Sequence, residues 1–355
     1  MAELLKLKSP ADFIGKQGHG YISFGSGQPD LPPPKEAFEG INLTRDLRYG
    51  LIQGEFALRD ALTHEYPGST AENFVITNGA SEALDLIFRI WGKGEKVLLP
   101  RPYYYSYPPI IEMAGMVPVY TDMVEGRIDL EDFRKKVTGC RAVLINSPSN
   151  PTGRVEAIET LKEIERITQN LGVYVVSDEV YKDLIYEREN YHIQGNHVIT
   201  VNSFSKTYCM CGVRVGYLWS ADKSIVEAVC EAKTHTSMNT NLVGQDMALH
   251  AMRAPKEYIL HQQEIWRARR DFMYQGLLDL GFDLWKPEGA FYVLPRCRNA
   301  REFLSLLVRE YKVIAYLGEW FGAPDRLRFS YALDVKKIEE GLGRIRDAMK
   351  KVSVL

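Results

Sequence analysis

The 355-residue chain has no uninterrupted apolar run near the roughly 20 residues needed to cross a bilayer, which argues against a membrane-spanning helix. Neither sign of charge dominates: 44 Lys and Arg stand against 46 Asp and Glu, a formal net charge of −2. That balance gives no general pull toward nucleic acid or an anionic membrane, and no long basic run supplies one locally. Cysteine is sparse, with five residues: Cys140, Cys209, Cys211, Cys230 and Cys297. Odd in number and scattered, they form no disulfide framework and no zinc spacing with histidine, so no metal is expected and a reducing compartment is. Cys209-Met210-Cys211 is too tight for Cys-x-x-Cys chemistry and reads as ordinary buried thiols. Low-complexity linkers and internal repeats are missing too. Met1 to Gly20 mixes charges with short apolar pairs and lacks the apolar core of a signal peptide, so the expected location is cytoplasmic.

What is present is the composition of an ordinary globular protein, 45% apolar and 25% charged, long enough for about two domains. Short apolar runs predict strands at Phe74–Thr77, Lys96–Leu99, Val117–Tyr120, Ala142–Asn146, Val173–Ser177, Val198–Val201 and Val213–Leu218. Between several of them lie helix-period stretches. Ala83, Leu84, Ile87, Phe88 and Trp91 share one face, as do Ile158, Leu161, Ile164 and Ile167, the latter helix closed by Gly172. Strand-helix-strand repetition predicts an α/β fold: a mostly parallel, mixed sheet of about seven strands flanked by helices. From about Asn241 the pattern changes to a long helical stretch through Tyr258, Ile265, Trp266 and Phe272, with a kink or break expected at Pro255. Phe282–Trp285, Glu288 to Tyr292 and a last helix after Asp334 complete a smaller α+β domain. The predicted division is 40–250 for the large domain, and 1–39 with 251–355 for the small one.

Ligands of open α/β sheets sit outside the carboxyl ends of the strands. Four polar clusters fall there: Asn78 to Ser81, Asn146 to Gly153, Asp178 to Tyr181 and Ser203 to Lys206. Lys206, beside hydroxyls and with Arg214 eight residues on, has the chemistry to attack a carbonyl while its neighbours hold an anion. Ser203 and Lys206 also have Ser-x-x-Lys spacing, but the companion Ser-Asp-Asn and Lys-Thr-Gly segments are absent. Gly79-Ala80-Ser81 leaves N–H groups open at a helix start near Glu82, or is a plain turn capped by Ser81. Asn150, between Pro148 and Pro151, is a stiffened amide donor or a simple turn. Asp178, ending an apolar run, needs a cationic partner such as a protonated pyridine, or caps a following helix. Among the tyrosines at 103, 104, 105 and 107, one ring has the shape to stack on a planar cofactor while most pack. Arg214, expected at the start of a strand, and Arg328 offer forks for phosphate or carboxylate, or pair with acidic side chains.

These segments, taken in order, resemble the class I/II aminotransferases, pyridoxal-phosphate enzymes of fold type I. The resemblance runs through Gly27-Gln28-Pro29-Asp30, Tyr49 to Arg59, Thr77 to Leu84, Asn146 to Gly153, Ser177 to Tyr181, Ser203 to Gly216, Pro287 to Tyr292 and Arg328 to Ala332. It implies pyridoxal 5′-phosphate as cofactor, with Lys206 as the Schiff-base lysine and proton shuttle, and Asp178 paired to the ring nitrogen. Asn150 and Tyr181 would bond the ring hydroxyl, Tyr104 would stack on the ring, and Ala80, Ser81, Ser203, Ser205 and Arg214 would hold the phosphate. Arg328, with Asn150 and the Gly27 backbone, would clamp the substrate carboxylate. Tyr49 would reach the phosphate of a neighbouring subunit, implying a homodimer. The chain departs from the family pattern at Cys211 and Val213, where relatives often carry Thr and Trp. It departs again at Ser81, where one aspartate-specific branch carries a lysine, so aspartate is not implied as the donor.

The implied reaction moves an amino group between an L-amino acid and a 2-oxo acid. A pyridoxal-phosphate lyase or decarboxylase on the same scaffold is the alternative. A ligand sensor fused to a DNA-binding domain is disfavoured, because no helix-turn-helix module precedes Gly20 and no basic face is evident.

Overall fold

The structure, a computed structural model, describes residues 9–13, 20–39, 41, 44–189 and 191–355. Most of the Met1–Gly20 stretch and the expected domain boundary at residue 40 lie outside the described residues. The first strand, β1 (Ile22–Ser23), leads into the segment that carries Gly25 and Gly27. Seven more strands and one short addition then build a central sheet: β2 (Phe74–Thr77), β3 (Lys96–Arg101), β4 (Val117–Val124), β5 (Arg127–Ile128), β6 (Ala142–Asn146), β7 (Tyr174–Asp178), β8 (Val198–Ser203) and β9 (Gly216–Ser220). Their spatial order is β2-β9-β8-β7-β6-β3-β4-β5. The β8-β7-β6-β3-β4 pairs are parallel, whereas β9 runs antiparallel to both β2 and β8, and β5 antiparallel to β4. The register sets Asn146, Asp178 and Val201 level, so three strands end on one rim.

Alternation along the inner strands sorts their apolar side chains onto both faces, as a sheet covered on both sides requires. Val97, Leu99, Leu144, Val176 and Ile199 pack beneath the helix Ala80–Arg89, whose Ala83, Leu84, Ile87 and Phe88 face them. Leu98, Val143, Ile145, Val175 and Val198 pack on the opposite face against Leu161, Ile164 and Ile167 of the helix Ile158–Leu171. Gly172 ends that helix in the left-handed conformation at φ 65°. Each such buried side chain contributes about 1.5–3 kcal/mol.

Past the sheet, one helix ends at Ala251 and another runs from Lys256 to Asp279, so Pro255 marks a break rather than a kink. Three strands then form an antiparallel sheet in the order β10 (Tyr292–Val293), β13 (Leu327–Ser330), β12 (Tyr316–Leu317). The remaining strand, β11 (Val313–Ile314), pairs parallel with β1 and ties the N-terminal segment to the C-terminal third. The last helix, Val335–Met349, is capped by the Asp334 carboxylate, which accepts from the Lys336 N–H at 2.9 Å.

Two expectations need correction. The run Val213–Leu218 is not one strand: Cys211–Val213 is a 3₁₀ turn, Arg214 sits at φ 58°, and β9 starts only at Gly216. Arg214 thus precedes the strand. Lys206 falls past the end of β8, as expected, on a one-turn helix, Phe204–Thr207. The helix after Gly79 begins at Ala80, not near Glu82, so Ser81 stands inside its first turn and caps nothing.

Candidate active site

A cavity of about 390 Å³ opens at the carboxyl ends of β6, β7 and β8. Gly27, Ala80, Ser81, Tyr104, Asn150, Asp178, Tyr181, Ser203, Ser205, Lys206, Arg214 and Arg328 all line it. Of the expected site residues, Tyr49 alone is elsewhere, 81% exposed on the surface.

The short helix after β8 turns the Lys206 side chain into the cavity, where its Nζ donates to the Gly27 carbonyl at 2.6 Å. Its amine is held below the ordinary lysine range. Burial is the main cause and the Arg328 and Arg214 charges add to it, against opposing effects of Cys211 and Asp178.

At one end, Ala80 and Ser81 open a ten-residue helix whose first N–H groups have no partner within the helix. The Arg214 guanidinium reaches over the same turn, donating to the carbonyls of Asn78 (3.3 Å) and Cys211 (3.0 Å). A Cβ on Gly79 would run into that guanidinium, so glycine is what lets the arginine lie over the helix start. The Ser203 hydroxyl accepts from the Ser205 N–H at 3.2 Å. Hydroxyls, a helix N-terminus and a cation without an acidic partner among the described residues suit a phosphate.

On the floor, Asp178 ends β7, buried, its Oδ2 accepting from the Tyr107 hydroxyl at 2.7 Å and its Oδ1 from the Val180 N–H at 3.3 Å. No helix follows for it to cap. Burial pushes its carboxyl up to about 6, and those two donors only partly oppose the rise. Asp178 is the sole carboxylate among the described residues lining the cavity. A buried acid with hydrogen bonds but no cationic side chain bonded to it suits a protonated ring nitrogen.

Opposite, Arg328 on β13 is buried, donating to Asn150 Oδ1 at 2.9 Å and to the Gly25 carbonyl. Its guanidinium lies over the rings of Tyr292 (4.5 Å), Phe321 (4.7 Å) and Tyr316 (4.8 Å). Its Nε–H is buried without a partner, and no described carboxylate pairs with it. Asn150 spends its carbonyl oxygen on Arg328, which leaves its NH₂ as a donor; its own N–H is fixed by Asn146 Oδ1 at 2.8 Å. The Tyr181 hydroxyl shares a proton with that of Tyr292 at 2.8 Å, and the Tyr104 ring stands edge-on to Tyr107 at 5.3 Å.

Sequence reasoning placed Tyr292 with the tyrosine-rich rim as suiting an aromatic or aliphatic substrate side chain, but did not single out Tyr107 among its neighbours, nor Tyr316 and Phe321 around Arg328. A composition signal existed only for Tyr107, inside the tyrosine-rich segment, and nothing local distinguishes it from its neighbours.

A lysine with a depressed amine, a buried acid with no cationic partner and a phosphate-shaped helix start around one cavity define a pyridoxal-phosphate enzyme of fold type I. The sequence model of the family described as aminotransferase class I and II matches residues 19–345, and the chain belongs to that family. An aspartate aminotransferase of Geobacillus stearothermophilus is 30% identical, the match covering 98% of this chain and 95% of the relative. The solved aspartate aminotransferase of Thermus thermophilus with maleate superimposes with a TM-score of 0.90 at 28% identity, covering 95% of this chain and 94% of that one. An aromatic aminotransferase from Pyrococcus horikoshii gives 0.89 at 29% identity, covering 97% and 99%. The chain is therefore a pyridoxal 5′-phosphate-dependent aminotransferase, moving an amino group between an amino acid and a 2-oxo acid.

Proposed function

We propose that Lys206 anchors the cofactor and then carries the proton in the amino transfer. One observation carries this reading: the Lys206 amine, depressed by burial, faces the same cavity as Asp178. Pyridoxal phosphate supplies, when bound, an aldehyde for the amine and a ring that absorbs the electron pair left at the substrate Cα. Everything else falls to the chain. Asp178 would hold a proton on the ring nitrogen, and Asn150 and Tyr181 would bond the ring oxygen. Tyr104 would lie against the ring. The N–H groups of Ala80 and Ser81, the hydroxyls of Ser203 and Ser205, and Arg214 grip the phosphate. Arg328, with Asn150 and the Gly27 backbone, takes the α-carboxylate of an L-amino acid, so the Cα–H bond stands within reach of the freed Lys206 amine.

The same reading divides the chain into a cofactor-bearing domain, 40–250, and a carboxylate-bearing one, 1–39 with 251–355. It also makes the working unit a homodimer. Tyr49 is exposed beside Leu47, Leu51 and Phe56, an apolar surface suited to a second copy, and would reach the phosphate of the partner. Five unpaired thiols favour the cytoplasm, and among the described residues no helix is long and apolar enough to cross a membrane.

Lys206→Ala is expected to abolish turnover and leave the cofactor bound only noncovalently, removable by gel filtration. Retained activity in that variant would overturn the assignment.

A further inference from the structure

Two anions are accounted for in the cavity, one at each end, and the charges that remain limit what the substrate side chain can be. Among the described lining residues the cations are Lys206, Arg214 and Arg328. The assignments proposed above commit Arg214 to the phosphate, Arg328 to the α-carboxylate and Lys206 to the chemistry. A distal carboxylate, as on aspartate, would meet no fourth cation among the described lining residues of one protomer. Arg101, near the rim through its contact with Gly322, is already held by Asp122 on β4, its Nε donating at 3.1 Å. A cationic side chain fares no better, because the sole lining carboxylate, Asp178, is committed on the floor to the ring nitrogen. Burying a charge without a partner costs several kcal/mol, so either kind of side chain is rejected.

Much of the wall that remains is aromatic, with Ser26, Gln28, Leu84 and Cys211 beside it. The half-buried Tyr105 ring stands edge-on to Tyr104 at 4.7 Å and to Phe321 at 5.7 Å, bridging the loop after β3 to the segment after β12. Tyr316 stacks on Phe13 at 6.0 Å and meets Trp320 edge-on at 5.7 Å. Its ring lies so close to Gly25 that a Cβ there would clash with it, so the backbone itself holds the ring at the cavity wall. We infer that this cavity selects amino acids with an uncharged, aromatic side chain, and that Tyr105 and Tyr316 are the selecting residues. Ring edges and faces on opposing walls match such a side chain in offset or edge-on contact.

The inference rests on the functional reading above, and its test separates the two. Phenylalanine, tyrosine, aspartate and lysine are each added alone to the holoenzyme, and the conversion of the bound cofactor is followed by absorbance. Phenylalanine and tyrosine are expected to react on the order of 100-fold faster than aspartate or lysine at equal concentration. Calorimetry on the unreactive acids gives a readout independent of turnover: 3-phenylpropanoate should bind at least about tenfold more tightly than succinate. Equal or better performance by aspartate and succinate overturns the inference while leaving the mechanism standing, and means that a fourth cation enters from Arg101 or a second copy. No conversion by any amino acid overturns the mechanism and the inference with it. Tyr105→Ala is expected to narrow the ratio of phenylalanine to alanine reactivity about tenfold; an unchanged ratio removes Tyr105 as a selecting residue.

Discussion

Two buried carboxylates, Glu288 and Asp178, differ in circumstance. Glu288, at the seam between the central sheet and the C-terminal third, is gripped by cations. Arg127 Nη2 lies 2.7 Å from both of its oxygens, Arg188 Nε bonds it at 2.6 Å, and the Val155 N–H donates at 3.1 Å. Burial raises its carboxyl, yet Arg127, Val155 and Arg188 overcome the rise and hold it below the ordinary range. Asp178 has only a hydroxyl and an N–H, and burial wins, lifting it to about 6. One acid is satisfied by the fold; the other, on the reading proposed above, is left for the cofactor. The contrast separates a group that holds the chain together from one that the chain tolerates for its chemistry.

The sharpest way to break this contrast is Asp178→Asn. Loss of the charge beneath the ring should lower kcat by about 10³-fold or more, since the protonated ring nitrogen is what accepts the electron pair. Cofactor-free stability should move the other way. Because the folded-state value of about 6 lies above the ordinary 3.8, the folded chain holds the proton more tightly than the unfolded chain does. Asp178 therefore adds stability below about pH 4 and loses it as the pH rises through 6. The non-titrating amide is expected to be up to about 3 kcal/mol more stable than wild type at pH 8, with the advantage fading toward pH 4. Denaturant unfolding of the cofactor-free protein at both pH values checks this. A variant less stable at pH 8 would mean that Asp178 already has a cation.

Glu288→Gln is the converse. Removing the charge leaves Arg127, Arg188 and the nearby Arg154 facing one another in a partly buried seam, at a cost of about 3 kcal/mol. Turnover per folded molecule should stay within about threefold, because no atom of Glu288 lines the cavity. A collapse in kcat without loss of stability would place Glu288 on the catalytic side of the comparison.

How far the sequence anticipates these two acids follows from the range of the forces involved. Six of the seven expected strands appear, and the seventh only from Gly216, because alternation and β-branched runs are local signals. The two-residue β5 is too short to carry one. Val213 was read into a strand because Val-Arg-Val-Gly-Tyr has strand composition. Its neighbour Arg214 instead takes a left-handed turn that returns the guanidinium to Asn78, a constraint set 136 residues away. Asp178 stands out locally, as an acid closing an apolar run. Glu288 does not, since its three arginines lie far off in the chain. Neither does Tyr107, one of four tyrosines within five residues, whose partner is 71 positions distant.

Tyr107 gives the smallest and most discriminating prediction. Among the described residues its hydroxyl is the one side-chain donor to Asp178, and a hydrogen bond to a charged acceptor contributes about 1.5–3 kcal/mol. Tyr107→Phe keeps the ring against Tyr104 and removes only that donor, so the fold and the bound cofactor should persist. Without the donor the carboxylate is less stable, and in the cofactor-free protein Asp178 should titrate above about 6. A more basic carboxylate also draws the ring proton toward itself, so kcat should fall about tenfold, and the pH at which the bound cofactor's spectrum loses that proton should rise. If kcat falls and that pH stays where it is, the Tyr107 hydroxyl acts on the ring by packing alone and the floor is not tuned through Asp178.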